Sequence, residues 1–301
     1  MDGLKIIFLF IYQIIENFNN TSKDMQYSNY RIVCLGVLNV ASIMQNSPPK
    51  VTLHGYAYVI EIYLTSYILS STSRIYVTYK EYSSFPDLDL GIVANEYISS
   101  NQFTFDYNAK HKTIFKAEKY TKGHLVVRKG EEYDNKNIGV YYTGFYARRN
   151  HNFIESEVLN HCIAAEQKLN EKIYAFACER PDYTITLFPH YKRNVEDYAT
   201  ALLFYAPLTK LKNVQLATPQ KNLSSAIDNI NLGIVMNSGI FWDRLSAGHK
   251  TIFINPVLIN DFLSQTNLRR ISFEGDTLTN DILEKHTKMD FGEFYEIISC
   301  D

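Results

Sequence analysis

The segment Leu232–Pro256, LGIVMNSGIFWDRLSAGHKTIFINP, constrains the fold more than any other part of the chain. Leu232–Met236 is a continuous apolar run of strand length. Asn237, Ser238 and Gly239 form a small polar turn. Ile240–Ala247 has the spacing of a short amphipathic helix, Gly248 stops it, and Thr251–Asn255 is a second apolar run. Strand, helix and strand joined by such short turns make a β-α-β unit, and these units build parallel sheets with helices on both faces. Backbone N–H groups and the positive end of the helix dipole collect where the turn opens the helix, which suits a phosphate. The same triplet reads equally well as a plain helix cap.

From residue 138 the alternation is regular. Strands are expected at Ile138–Tyr142, Thr184–Phe188 and Val214–Ala217, and helices at Ile154–Asn170, Tyr191–Tyr205 and Leu223–Ile230, before the unit above. This is the order of a doubly wound parallel sheet. The first half carries shorter apolar runs at Ile6–Phe10, Ile32–Leu38, Val51–Leu53, Ile75–Thr78, Gly91–Ala94, Thr113–Ala117 and Leu125–Val127, with helical spacing over Tyr56–Leu69. The charged stretch KGEEYDNKN at Lys129–Asn137 reads as a linker. The expected fold class is α/β: two Rossmann-like domains, residues 1–130 and 138–301, with parallel sheets facing a cleft between them.

Composition closes several other routes. A formal net charge of −2 over 301 residues gives no field for nucleic acid. Cys34, Cys162, Cys178 and Cys300 contain no CxxC pair, so neither a zinc site nor a disulfide scaffold is expected, and Cys34 and Cys178 read as core thiols. Leu4–Ile15 is interrupted by Tyr12 and Gln13 and lacks a basic flank and a cleavage site, so it is no convincing secretory signal. Val51–Leu69 holds His54 and Glu61 and reads as a strand end and helix rather than a membrane span. The expectation is a soluble, cytoplasmic protein, with peripheral association at the inner face of the membrane compatible with it. P-loop, GxGxxG, HExxH and GxSxG patterns are all missing.

Ligands bind parallel α/β sheets beyond the C-terminal strand ends. Those ends should present Thr143-Gly144-Phe145 with Arg148 and Arg149, His190 with Lys192 and Arg193, Thr218, and Asn237-Ser238-Gly239. Hydroxyls, a histidine and up to four cations on one edge form an inventory for a phosphate-bearing ligand. Lys192 and Arg193 in a first helical turn oppose the dipole unless an anion sits there. In the first half, His54, Glu96 and Asp87 are candidate general bases, and only geometry can choose among them. Asp87-Leu88-Asp89 has a spacing able to hold a divalent metal on a diphosphate, but a single such triplet arises often by chance; no metal and no cofactor are expected.

Three segments resemble the nucleotide-binding domain of GT-B-type glycosyltransferases, including the bacterial sialyltransferase-like and surface-polysaccharide enzymes. They are IGVYYTGFYARR at Ile138–Arg149, TLFPHYKR at Thr186–Arg193, and INLGIVMNSGIFWDRLSAGHKTIFINP at Ile230–Pro256. The resemblance lies mainly in residues 138–256. It implies a glycosyltransferase of cell-surface polysaccharide synthesis, moving a sugar from a nucleotide-sugar donor to a glycan or lipid-linked acceptor. Gly144, Arg148, His190, Lys192, Asn237, Ser238 and Gly239 would bind the donor, and His54 would take the acceptor proton. The chain departs from many relatives at His190-Tyr191, where they have His-Pro, and at Asn237-Ser238-Gly239, where they often have Ser-Ser or Ser-Thr. These departures keep two alternatives open: a non-catalytic GT-B-like binding or assembly subunit, and another nucleotide-sugar enzyme such as an epimerase.

Overall fold

The computed structural model describes residues 40–43, 45–46, 48–55, 65, 69, 75–81, 93–98, 116–121, 135–148, 156–189, 195–217, 227, 229–236, 238–254, 263 and 266–299. The chain divides into two compact units, Met1–His124 and Leu125–Asp301.

The first unit holds a parallel sheet of β1 (Lys50–Gly55), β2 (Tyr76–Glu81), β3 (Val93–Ile98) and β4 (Lys116–Thr121), in that order. Val77, Tyr79, Ala94 and Tyr97 pack with Val40, Leu69 and Ile75 into one buried cluster. The Tyr79 and Tyr97 rings stack with centroids 5.7 Å apart. Two expectations shift here. The strand expected to end at Ala94 continues through Asn95-Glu96 to Ile98. The polar pair does not stop it, because Asn95 Oδ1 accepts the Val77 N–H at 2.8 Å and Glu96 accepts the Thr78 hydroxyl at 3.3 Å. The strand expected over Thr113–Ala117 is β4, starting at Lys116. The runs Ile6–Phe10, Ile32–Leu38 and Leu125–Val127, and residues 129–134 of the expected linker, lie outside the described residues.

The second unit is built on a six-stranded parallel sheet. Its strands are β5 (Asn137–Tyr141), β6 (Thr184–Phe188), β7 (Val214–Leu216), β8 (Leu232–Met236), β9 (Lys250–Ile254) and β10 (Ser272–Phe273). Helices α1 (Ser156–Glu179), α2 (Val195–Phe204), α3 (Ala206–Thr209), α4 (Ile240–Ser246), α5 (Asn280–Lys288) and α6 (Phe291–Ser299) accompany them. The spatial order is β10-β9-β8-β5-β6-β7. Counted along the chain this is the doubly wound order 3-2-1-4-5-6 read from β7. β8 and β9 are buried at every residue, as central strands covered on both faces must be. The elements not foreseen include β10, α3, α5, α6 and the nine further residues of α1 beyond Asn170. That extension corrects the reading of Cys178. It lies on α1, where Phe176 and Ala177 turn inward and Cys178 is exposed; Cys162 is the buried thiol.

Arg244 organises the β8-α4-β9 unit. It is fully buried, a costly place for a guanidinium unless every donor is used. Its Nε donates to Thr251 Oγ1 at 3.1 Å, Nη1 to Tyr141 Oη at 3.1 Å, and Nη2 to the carbonyls of Ile230 and Lys250 at 3.2 and 3.1 Å. The guanidinium also lies 5.4 Å from the Tyr141 ring centroid. Two glycines in register, Gly139 of β5 and Gly233 of β8, leave room for this group. A Cβ on Gly233 would overlap Arg244 Nε, and one on Gly139 would stand 2.9 Å from Tyr141 Oη.

Gly233→Ala should therefore destabilise the protein by about 3 kcal/mol, because it displaces a fully hydrogen-bonded buried charge. Arg244→Met fills similar space but orphans backbone carbonyls that cannot be mutated away, and should cost at least as much. Urea unfolding of both variants checks this. A neutral Arg244→Met would show that packing alone holds the unit.

Candidate functional site

The chain leaves β5 toward β6 and β7 on one side and returns beside β5 with β8 before moving to β9 and β10 on the other. The crevice at the C-terminal ends of β5 and β8 is thus the topological switch point, where open α/β sheets bind ligands. Two turns flank it: Tyr142–Phe145 after β5, and the Ser238-Gly239 turn after β8. They are tied together by the buried Thr143 hydroxyl, which donates to the Met236 carbonyl at the end of β8.

The turn after β5 runs into a 3-10 helix, Phe145–Arg148, and Gly144 holds φ at 74°, which favours glycine. Its converging N–H groups are taken by the protein itself. Glu166 of α1, fully buried, accepts the Gly144 N–H at 2.8 Å and the Phe145 N–H at 3.2 Å on Oε1, and the Tyr146 N–H at 3.1 Å on Oε2. Tyrosines crowd this anion. Tyr142 donates to Asn170 Oδ1 at 2.6 Å and its ring lies 4.6 Å from that of Tyr205. Burial, then the Glu166 charge, hold the Tyr142 hydroxyl well above the usual tyrosine range. The same two causes push the Cys162 thiol up to about 11.

The turn after β8 is built differently. The carbonyl of Ser238 accepts the Phe241 N–H at 3.1 Å, and that of Gly239 accepts the Trp242 and Asp243 N–H groups. Among the described residues no acceptor meets the N–H groups of Ser238, Gly239 or Ile240. Ser238 and Gly239 are half-buried. Gly239 has φ −57° and ψ −23°, ordinary right-handed backbone. Its glycine is therefore not demanded by conformation, and the absent Cβ matters only if something approaches closely.

Of the residues singled out from sequence, the structure brings Gly144, Ser238 and Gly239 to this one crevice. Arg148 ends the 3-10 helix beside it, with its side chain outside the described residues. His190, Lys192 and Asn237 lie outside the described residues altogether, as do Asp87, Asp89, Arg149, Arg193 and Thr218. His54 belongs to the first unit. It stands within β1, in register with Lys80, rather than just beyond the strand. Glu96 is corrected as a candidate base: it is buried inside β3, with Lys50 Nζ at 3.9 Å, and so is not at a strand end. Sequence reading missed Glu166 and Arg244. The signal for Glu166 was present, since it interrupts the inward stripe Leu159, Cys162, Ile163, Leu169, Ile173 and Phe176 of α1. Among the described residues no group of His, Cys, Asp or Glu is placed to hold a metal, and no helix is long and apolar enough to cross a membrane.

No protein-family model matches the chain, and no curated protein matches its sequence. Its fold does match solved structures. S. aureus MnaA with UDP gives a TM-score of 0.54 at 10% identity, over 89% of this chain and 73% of that one. Acinetobacter baumannii MurG gives 0.50 at 15% identity, over 89% and 74%. A protein from Listeria monocytogenes described as a UDP-N-acetylglucosamine 2-epimerase gives 0.51 at 11% identity, over 89% and 73%. Identities this low speak for fold alone. The fold is α/β of GT-B type with two all-parallel sheets, and the likeness does not single out the sialyltransferase-like branch.

The thiols give a check on the burial around Glu166. At mildly alkaline pH a thiol reagent should modify Cys178 and leave Cys162 untouched, because a thiol titrating near 11 supplies little nucleophilic thiolate. Peptide mass spectrometry reads the two sites separately. Equal labelling in the native protein would contradict the burial of Cys162 on the inward face of α1.

Proposed function

We propose that this chain is a nucleotide-sugar enzyme, and specifically a glycosyltransferase of surface-polysaccharide synthesis, the sialyltransferase-like kind included. One observation carries the reading: a switch-point turn, Ser238-Gly239, with first-turn amides that meet no acceptor among the described residues. Such a turn is suited to an anionic leaving group, whose developing charge the amides and the Ser238 hydroxyl stabilise without a metal. Asn237, His190, Lys192 and Arg148 are the side chains proposed to complete the donor's phosphate contacts, with Gly144 shaping the opposite wall. His54, near the C-terminal end of β1, is the proposed base for the acceptor hydroxyl. The acceptor is a glycan or a lipid-linked glycan. Action in the cytoplasm, at the inner face of the membrane, is part of the same proposal.

A second reading has a specific support. A protein described as a UDP-N-acetylglucosamine 2-epimerase shares the fold, and MnaA was solved with UDP. An epimerase would use the same phosphate turn and need no acceptor. Product analysis separates the two: a new glycosidic product indicates transfer, a changed donor sugar indicates epimerisation, and binding without turnover indicates a non-catalytic subunit.

UDP is the first ligand to titrate, followed by CMP, CDP, GDP and their sugars. Ser238→Ala should weaken binding about tenfold, one lost donor to a charged group. His190→Ala should weaken it by about 1.5–3 kcal/mol with a smaller change in fold stability. Gly239→Val should abolish binding yet leave a folded protein, since its backbone angles suit any residue. Calorimetry with circular dichroism checks all three. Parent-like binding by the Ser238 and Gly239 variants would reduce the turn to a helix cap.

A further inference from the structure

The turn after β5 presents converging amides, and the structure fills it. Glu166 reaches from the middle of α1 with no exposed surface, and its carboxylate meets three successive N–H groups at 2.8, 3.2 and 3.1 Å. A carboxylate receiving several backbone N–H bonds is the side-chain equivalent of a phosphate held in such a turn. We propose that Glu166 is the built-in anion of the Gly144–Tyr146 turn, and that by occupying it this residue excludes a ligand phosphate there and directs it to Ser238-Gly239. Glu166 is thus a positioning and specificity-determining residue. It fixes the wall of the crevice, to which the Thr143–Met236 hydrogen bond ties the end of β8.

The neighbourhood supports a permanent occupant rather than a removable one. Tyr142, Phe145 and Tyr146 are all buried over the turn, and Tyr146 stacks on Phe204 with centroids 4.3 Å apart. Gly144 is locked at φ 74° by the same contacts that aim its N–H at Glu166. No open path for a ligand is needed, because the anion arrives with the helix. Consequently, the two turns divide the work: one is neutralised during folding, the other is left for the ligand. This last step rests on the nucleotide-sugar reading; the internal anion does not.

The test uses the full chain and two variants. Glu166→Ala removes the carboxylate and leaves a space beside three amides. Formate or acetate should raise its Tm at constant ionic strength, chloride should not, and inorganic phosphate should raise the Tm of this variant by more than it raises that of the parent. If Glu166→Ala folds only with formate present, that result also supports the assignment. Glu166→Gln keeps the shape but sets an NH2 group against an N–H donor, so no external anion can enter. It should stay folded and bind UDP about tenfold more weakly than the parent. A purely structural role predicts lower Tm with unchanged UDP affinity, and that outcome overturns the positioning role. Absence of a carboxylate-specific rise in the Ala variant overturns the internal anion, and if the Ala variant folds in neither condition, UDP affinity of the Gln variant decides. A parent that binds no nucleotide, together with carboxylate rescue, would sink the functional reading and leave the internal anion standing.

Discussion

The buried guanidinium of Arg244 is the interaction on which the candidate site depends. It gathers β5, α4, β9 and the approach to β8 around one group through two hydroxyls and several main-chain carbonyls. A charge so placed tolerates no partial solution, because each unmet donor inside a protein costs more than a met one contributes. The paired glycines Gly139 and Gly233 are the space that makes it affordable. Since α4 begins one residue after Gly239, fixing its fifth residue also fixes where the Ser238-Gly239 turn points.

The crevice thus has one wall held by a buried cation and the other by a buried anion. Neither ion faces a ligand directly. Each acts on backbone: Arg244 through carbonyls, Glu166 through amides. Preorganised main-chain dipoles need no rearrangement when charge develops, and this is how such sites do electrostatic work.

Much of the second unit was legible in the sequence. β6 and β8 fall on the expected residues, because buried parallel strands read as unbroken apolar runs between short turns. Gly248 adopts φ 83° where a helix stop was expected. What could not be read was the role of polar residues inside apolar patterns. Glu96 was placed beyond its strand and proved to be a sheet-embedded carboxylate; Glu166 and Arg244, not singled out in the sequence, proved to be the inner frame. A periodic pattern reports which face is inward, but only three-dimensional partners decide whether a charge there is satisfied. Cys178 failed for a related reason: the end of α1 was not anticipated, so its apolar run was read without the helical period that turns it outward. β10 is too short to carry any pattern.

The opposite edge of the same sheet is sealed. Lys250, the first residue of β9, buries its ammonium against the Thr287 and Met289 carbonyls at the end of α5, and Asn231, just before β8, donates to the same Thr287 carbonyl. A cation is thereby placed on the negative end of a helix dipole. A parallel sheet with its helices is an electrically directional body, and here its negative pole is quenched by the protein's own lysine at the strands' starting edge. At the other edge the amides of the Gly144–Tyr146 turn are met by Glu166, and the first turn of α4 holds Asp243. Charges buried inside the domain thus meet main-chain dipoles at both edges of the sheet, a matching that persists whatever surface side chains are exchanged.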